Sequence, residues 1–104
     1  MSDLYLDFDQ VFFEKNRLSM ITLLYKESNV SYNRFKKIIK GTDGAIYAHL
    51  KKLLHSGYIR KKKELIDDTA QTIYSLTKKG ETTFQEYIEF LERVIKEHKG
   101  EIEK

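Results

Sequence analysis

Apolar residues recur every three or four positions along most of the chain, and short polar or glycine-containing breaks separate these segments. The spacing predicts helices over about 4–13, 15–27, 31–40, 43–56 and 78–98. Ser31, Thr42 and Thr77 stand where their hydroxyl groups can cap the last three of these helices. Gly41 and Gly57 stand where the third and fourth helices are expected to stop, which matters in a chain without proline.

The same spacing assigns a buried side to the two central helices. We expect Phe35, Ile38 and Ile39 to face the core from the third helix. The fourth helix is expected to bury a longer set, consisting of Ile46, Leu50, Leu53 and Leu54.

Two shorter segments, Tyr58–Lys63 and Gln71–Leu76, are predicted to form the strands of a hairpin, with a polar tip over Leu65–Ala70. Two helices joined by a tight glycine-containing turn and followed by a hairpin form the winged helix-turn-helix arrangement. We therefore predict a mainly α fold with a small β-hairpin. The 104 residues form one domain, with the helix-turn-helix and wing at about 15–76. The terminal helices at about 4–13 and 78–98 are predicted to serve dimerisation.

The net charge of +3 conceals a strong asymmetry along the chain. The segment from Ser28 to Lys63 contains ten basic residues and a single acid, Asp43, whereas the rest contains nine basic and fifteen acidic residues. A block of this kind indicates a surface that faces a polyanion, while the acidic remainder faces elsewhere.

Several classes of protein are disfavoured by the composition. The chain has no cysteine, so disulfides, thiolate metal sites and a cysteine nucleophile are excluded. No apolar run approaches the roughly 18–20 residues of a membrane span, and the acidic start is unlike a signal peptide, so a cytoplasmic protein is expected. There is no phosphate-binding glycine loop, and His49 and His55 are six positions apart rather than four. We therefore expect no enzyme activity, no cofactor and no metal site.

Several short motifs resemble winged helix-turn-helix transcriptional regulators of the MarR/ArsR-like group. The segment TDGAIYAHLKKL at 42–53, followed by SGYI at 56–59, is similar to their recognition helix and its continuation. IYSLTKKG at 73–80 resembles their second wing strand and the cap of the next helix, and RLSMI at 17–21 fits their early helix. The resemblance covers about residues 9–91. It implies the winged-helix fold, homodimerisation and binding of double-stranded DNA.

The fourth helix suits the major groove of DNA. A step of about 100° per residue puts small and basic residues on the side opposite its apolar stripe. Small side chains allow a close approach to base edges, hydroxyl groups can contact bases or phosphates, and lysines neutralise phosphates. With contributions from the third helix and the wing, the predicted DNA-binding residues are Arg34, Lys37, Thr42, Gly44, Ala45, Tyr47, Ala48, Lys51, Lys52, Arg60 and Lys62. Asp43 is interpreted mainly as helix-start chemistry, since phosphates would repel it.

The wing departs from the pattern of the related regulators. Successive side chains of a strand point to opposite faces, so the basic run from Arg60 to Lys63 cannot face DNA as a whole. The resemblance implies a basic wing tip that enters the minor groove, yet this tip carries Asp67 and Asp68. Either the wing strands lie beside the backbone, or the tip is held away from DNA.

The final helix carries the prediction of a dimer. Its apolar positions step by four and three, as in paired helices, and form a stripe wider than one small core requires. A two-fold pair would set two recognition helices about 34 Å apart, one turn of DNA. The predicted dimer residues are Leu4, Phe8, Val11, Phe12, Phe84, Tyr87, Ile88, Leu91, Val94, Ile95 and His98. The alternative is that both terminal helices pack only on their own subunit.

A second class of function also fits a winged helix. Such domains serve as protein-interaction or RNA-binding modules as well. The small-residue face and the basic block favour duplex DNA over a protein partner, and the A-form major groove of RNA does not admit a helix. A small-molecule effector in the apolar dimer interface remains open, although no convergent set of polar residues marks a pocket for it.

Overall fold

A computed structural model of the chain describes residues 9–102, with side chains over 9–98. The elements of this part are α1 (Gln10–Phe13), α2 (Lys15–Glu27), β1 (Val30–Ser31), α3 (Tyr32–Ile38), α4 (Asp43–His55), β2 (Ile59–Ile66), β3 (Thr69–Leu76) and α5 (Lys78–Ile102). The predicted helices and strands occur in the predicted order. Leu4 and Phe8, placed in the first helix and at the dimer interface from the sequence, lie outside the described residues.

The helix starts are fixed by the hydroxyl caps that the sequence predicts. The side-chain oxygens of Ser31, Thr42 and Thr77 each accept a backbone N–H three residues ahead, at 3.1 Å in all three cases. Gly57 follows α4 with a φ of 82°, in the left-handed region that glycine adopts without strain. Local chemistry therefore decides where these helices begin and where α4 ends.

The prediction that Ile38 faces the core is wrong. The third helix ends at Ile38 rather than near Lys40, and Ile39 continues in an extended conformation. This change of direction turns the Ile39 side chain into the core, where it is 8% exposed, and leaves Ile38 46% exposed. Helical spacing cannot assign both residues to the core once the helix has stopped between them.

The sheet has three antiparallel strands in the order β1-β3-β2, so the hairpin is joined by a short strand that the sequence did not predict. Val30 and Ser31 of β1 pair with Tyr74 and Ile73. The hairpin strands are longer than expected, because only Asp67 and Asp68 form the turn, with φ values of 52° and 64°. Positive φ at both central residues is characteristic of a tight two-residue hairpin turn, and aspartate tolerates it better than most residues.

The core lies where α2, α3 and α4 pack against the root of the sheet. Its fully buried members come from α1 through α4 and from β1: Phe12, Met20, Ile21, Leu24, Val30, Phe35, Ile46, Leu50 and Leu53. On the side of the sheet and α5, the core is completed by Tyr58, Ile59, Tyr74 and Phe84. The packing fixes the side of α4 that faces inward, and therefore also the side that faces out.

The backbone of Tyr58 is the place where α5 meets the wing. Its carbonyl accepts the N–H of Thr77 at 3.0 Å, and the Thr77 hydroxyl donates to the carbonyl of Gly57 at 2.6 Å. A Cβ atom at Gly80 would lie 2.2 Å from the Tyr58 carbonyl oxygen and 3.1 Å from Cδ2 of Leu76. Only glycine at this position allows the first turn of α5 to pack so closely.

We expect Gly80→Ala to lower the free energy of unfolding by about 1–3 kcal/mol, because the added methyl group collides with backbone that cannot yield. Urea unfolding followed by circular dichroism would measure this change. Gly44→Ala is the matched control: a Cβ at Gly44 meets nothing within 4 Å. There the helix should be unchanged or gain up to about 1 kcal/mol. Equal stability of Gly80→Ala and the wild type would contradict the close packing.

Candidate nucleic-acid interface

The outer side of α4 is a continuous exposed surface. Ile46, Leu50 and Leu53 are 0–1% exposed and face the core. The residues predicted to read DNA from this helix and its cap are all exposed: Thr42, Gly44, Ala45, Tyr47, Ala48, Lys51 and Lys52. Tyr47, at 54% exposure, is the largest side chain among them. The structure therefore brings these candidates together on one surface, called here the α4 face.

The start of α4 is held against α3. The Tyr32 hydroxyl donates to the carbonyl of Asp43 at 3.2 Å. Lys36 lies 3.8 Å from the Asp43 carboxylate and 5.2 Å from the centre of the Tyr32 ring. Asp43 occupies the first turn of α4, where the helix dipole favours a negative charge. This arrangement agrees with the interpretation of Asp43 as helix-start chemistry.

Arg34 is already engaged within the chain. Its guanidinium donates to both oxygens of the Glu27 carboxylate, at 2.6 Å and 2.5 Å. This paired hydrogen bond lowers the pKa of Glu27, so the carboxylate stays charged and offsets Arg34. Lys37, predicted beside Arg34, is exposed on α3. The two α3 candidates therefore differ, because only Lys37 keeps an uncompensated charge.

A buried arginine of α2 contacts the middle of α4. Arg17 of α2 is 7% exposed; its Nε donates to the carbonyl of Val11 at 2.5 Å, and its Nη1 lies 2.9 Å from Nδ1 of His49. Arginine has no acceptor, so the guanidinium is the donor in this contact. The sequence analysis missed this contact, because residues 32 positions apart share no local pattern. It fixes the middle of α4 relative to α1 and α2.

The wing divides its basic run between two faces. Lys61 pairs with Tyr74 and Lys63 with Thr72, on the face that Tyr74 turns toward the core and α3. Arg60 and Lys62, the predicted contacts, lie on the other face. There they line a groove of about 590 Å³ with the end of α2. Arg60 Nε donates to Ser75 Oγ at 3.3 Å, and Lys62 forms an ion pair with Glu64 at 2.9 Å.

The predicted dimer residues fall into two groups. Phe12 and Phe84 are 0% and 7% exposed and belong to the subunit's own core, and Tyr87 packs its ring on Phe13 at 4.8 Å. Ile88, Val94 and Ile95 are 37%, 45% and 55% exposed along the outer part of α5. Val11 and Leu91 are half-buried, and His98 is exposed. The apolar stripe of α5 therefore packs into the core along the first half of the helix and is exposed along the second half.

Two kinds of feature are not found within the described part of the chain. No group of three or more histidine, cysteine or acidic side chains over residues 9–98 is arranged to hold a metal ion. None of the described helices is long and apolar enough to cross a membrane.

Comparison with known proteins identifies the class. Residues 16–95 match the family described as winged helix DNA-binding domain. An uncharacterized protein of Methanocaldococcus jannaschii is 36% identical over 72 residues, which cover 69% of this chain and 78% of that protein. The chain therefore belongs to the winged helix DNA-binding domain family.

Solved structures share the fold. A transcriptional regulator homologue from Pyrococcus horikoshii OT3 superimposes with a TM-score of 0.78 at 21% identity, over 92% of this chain and 96% of that one. A protein of Enterococcus faecalis V583 assigned to the MarR family gives 0.75 at 12% identity, over 95% and 97%. PadR of Bacillus subtilis, solved with operator DNA, gives 0.56 at 20% identity, over 67% and 44%. An ArsR family transcriptional regulator is also among the neighbours, so the resemblance to the MarR/ArsR-like group is confirmed at the level of the fold.

We expect Arg17→Lys to lower the free energy of unfolding by about 1–3 kcal/mol, since lysine cannot reach both the Val11 carbonyl and His49 and leaves a buried acceptor unpaired. The urea midpoint would report the loss. Lys26→Arg, a basic exchange at an exposed site of the same helix, is the control and should change stability by less than about 0.5 kcal/mol. If both variants have the same urea midpoint as the wild type, Arg17 does not stabilise the position of α4.

Proposed function

We propose that the protein is a transcriptional regulator that binds specific sequences of double-stranded DNA as a homodimer. In this proposal α4 enters the major groove, and the basic wing strand β2 lies on the phosphate backbone. The single observation that carries the proposal is the α4 face, which is small, exposed and basic on a helix whose other side is fully buried. In this proposal the protein has no enzyme activity and needs no cofactor. It acts in the cytoplasm, where the DNA is.

The α4 face has the shape and chemistry that major-groove reading requires. Gly44, Ala45 and Ala48 let the helix backbone approach the base edges closely. Lys51 and Lys52, exposed on the next turn, supply positive charge for phosphates. The tyrosine hydroxyl of Tyr47 can donate to a base or a phosphate. Base contacts of this kind would specify the sequence, and phosphate contacts would set the orientation.

The charge of the wing supports contact along its strands rather than at its tip. Lys61 and Lys63 lie on the face shared with Tyr74, and all four basic residues of β2 are exposed. The tight turn at Asp67 and Asp68 holds two carboxylates at the very end of the hairpin. Phosphates on both sides of the minor groove would repel them. We therefore propose that β2 runs beside the backbone and that the tip stays outside the groove.

The outer part of α5 supports a homodimer. Ile88, Val94 and Ile95 lie on one side of the helix and are too exposed to contribute fully to the subunit's own core. A two-fold pairing through this stripe would cover them and would present two α4 faces to one side of a duplex. DNA-binding dimers of this kind read half-sites about one helical turn apart.

One observation favours a second candidate, a protein-interaction module. Leu65 is 76% exposed beside the acidic turn at the end of the wing. An apolar side chain flanked by carboxylates is better suited to a protein surface than to DNA. A winged helix without sequence-specific DNA binding is therefore the alternative that the following experiment tests.

We expect the affinity for duplex DNA to fall steeply between about 50 and 200 mM salt, because phosphate contacts release counterions. In the double variant with Lys51→Ala and Lys52→Ala, binding should weaken on every sequence, and the slope of log K against log salt should flatten by about 1.8. Fluorescence anisotropy with a labelled duplex measures both quantities.

Lys15→Ala combined with Lys26→Ala is the matched control, since both residues are exposed on α2 away from the α4 face. This pair should leave the slope unchanged. Binding that hardly responds to salt, or a double α4 variant that binds like the wild type, would favour the protein-interaction module instead.

We expect sedimentation to report a dimer and Ile95→Glu or Leu91→Glu to convert it to a monomer, because a carboxylate would be buried without a partner in the paired stripe. Ile95 is the better position for this test. Because its side chain is 55% exposed, the substitution should not destabilise the fold of the single chain. Arg93→Glu, an exposed change on the opposite side of α5, should leave the dimer intact. A monomeric wild type at micromolar concentration would refute the role of α5.

A further inference from the structure

Tyr74 is a buried tyrosine whose hydroxyl group has no hydrogen-bond partner among the described residues. The residue is 3% exposed, and its ring meets Phe35 edge-on with centres 5.8 Å apart. Its hydroxyl forms no hydrogen bond, yet no fully buried polar side-chain atom of the described residues lacks one. The oxygen therefore reaches the surface at the end of a ring that the core immobilises. Buried tyrosines usually satisfy the hydroxyl group, so here water or a bound group supplies the partner that the described residues do not.

The hydroxyl lies at the junction of three elements of the proposed DNA-binding surface. Tyr74 stands in the central strand β3, directly opposite Lys61 of the wing. Tyr32 directly follows β1, whose Val30 pairs with Tyr74, and its hydroxyl reaches the carbonyl of Asp43, one turn of α4 before Tyr47. Burial raises the pKa of the Tyr74 phenol, and the charges of Tyr32 and Tyr47 raise it further. We call the three residues Tyr32, Tyr47 and Tyr74 the tyrosine notch.

The surroundings of the notch favour an anion. Tyr32 is bound to the carbonyl of Asp43 in the first turn of α4, where backbone N–H groups carry partial positive charge. The Asp43 carboxylate opposes an anion there, and Lys36, 3.8 Å away, offsets it. Lys61 is exposed across the strand from Tyr74. The high pKa of the Tyr74 phenol keeps its proton in place, so the hydroxyl can donate. A neutral donor beside a lysine and a helix start suits a phosphate better than a base edge.

We propose that the tyrosine notch binds one backbone phosphate of the DNA, with the Tyr74 hydroxyl as the donor and Lys61 as the counter-charge. The inference rests on the proposed function and adds a donor, Tyr74, that belongs to neither the α4 face nor the outer face of the wing. Because the ring of Tyr74 is locked in the core, this contact fixes the distance between the wing and the recognition helix on the duplex.

The test is Tyr74→Phe, which removes only the hydroxyl oxygen. The probe is a labelled duplex chosen from a random-sequence pool by selection with the wild-type protein. We expect affinity to fall about tenfold. The salt slope should stay the same, since a neutral donor releases no counterion. The melting temperature should also stay the same, because the hydroxyl bonds to nothing in the free protein. Tyr25→Phe, which removes a hydroxyl bonded to Gln85 of α5 rather than one in the notch, is the matched control and should bind normally.

A second measurement locates the phosphate. Single phosphates of the duplex are replaced one at a time by neutral methylphosphonates, and each duplex is titrated with the wild type and with Tyr74→Phe. One position should weaken the wild type strongly and the variant much less. Equal affinities of the two proteins, identical methylphosphonate profiles, or a lower melting temperature of the variant would each overturn the inference while leaving the proposed function standing. Failure of the wild type to select any duplex would overturn both.

Discussion

The buried residue Tyr58 joins four elements of this molecule, and the placement of the proposed DNA-binding elements depends on it. Its N–H donates to the carbonyl of Leu53 near the end of α4, and its carbonyl accepts from Thr77 ahead of α5. Its hydroxyl donates to Asp9 at 2.7 Å, and its ring packs on Phe12. One residue therefore links α1, the end of α4, the root of the wing and the start of α5.

The chemistry of this junction explains its rigidity. The hydrogen bond from Tyr58, together with the N–H of Val11, holds the pKa of Asp9 below its usual range, so the carboxylate is charged at neutral pH. Lys79 completes the set by donating to the Ser56 carbonyl at the end of α4 while lying 4.5 Å from the Tyr58 ring centre. A cation at a helix C-terminus is favourable to the helix dipole. With Tyr32 at its start and Arg17 behind its middle, α4 is thus held at three points by other elements.

How far the sequence predicts this structure depends on the distance over which each feature is encoded. The caps at Ser31, Thr42 and Thr77 lie within four residues of what they bond, and the sequence predicts all three. The β1 strand and the contact between Arg17 and His49 depend on residues far away in the chain, and the exposure of Ile38 depends on where α3 stops. These features could not be predicted because no periodic pattern in the sequence indicates them.

The same reasoning applies to the candidate site. The sequence identifies the α4 face, because one helix with a strong apolar side also determines its outer side. It identifies the wing as basic but not which lysines face the recognition helix, since that depends on the register between β2 and β3. The sequence also does not show which basic side chains form ion pairs in the folded chain and which do not. In the basic segment Arg34, Lys36 and Lys62 each lie within an ion pair, with Glu27, Asp43 and Glu64 respectively. Among the described residues, the basic side chains of this segment without an ion pair are therefore Lys37 and Lys40, Lys51 and Lys52 of α4, and Arg60, Lys61 and Lys63 of the wing. Lys61 lies directly opposite Tyr74 in the sheet, so the part of this charge that borders the tyrosine notch comes from the wing, and only the register between β2 and β3 determines it.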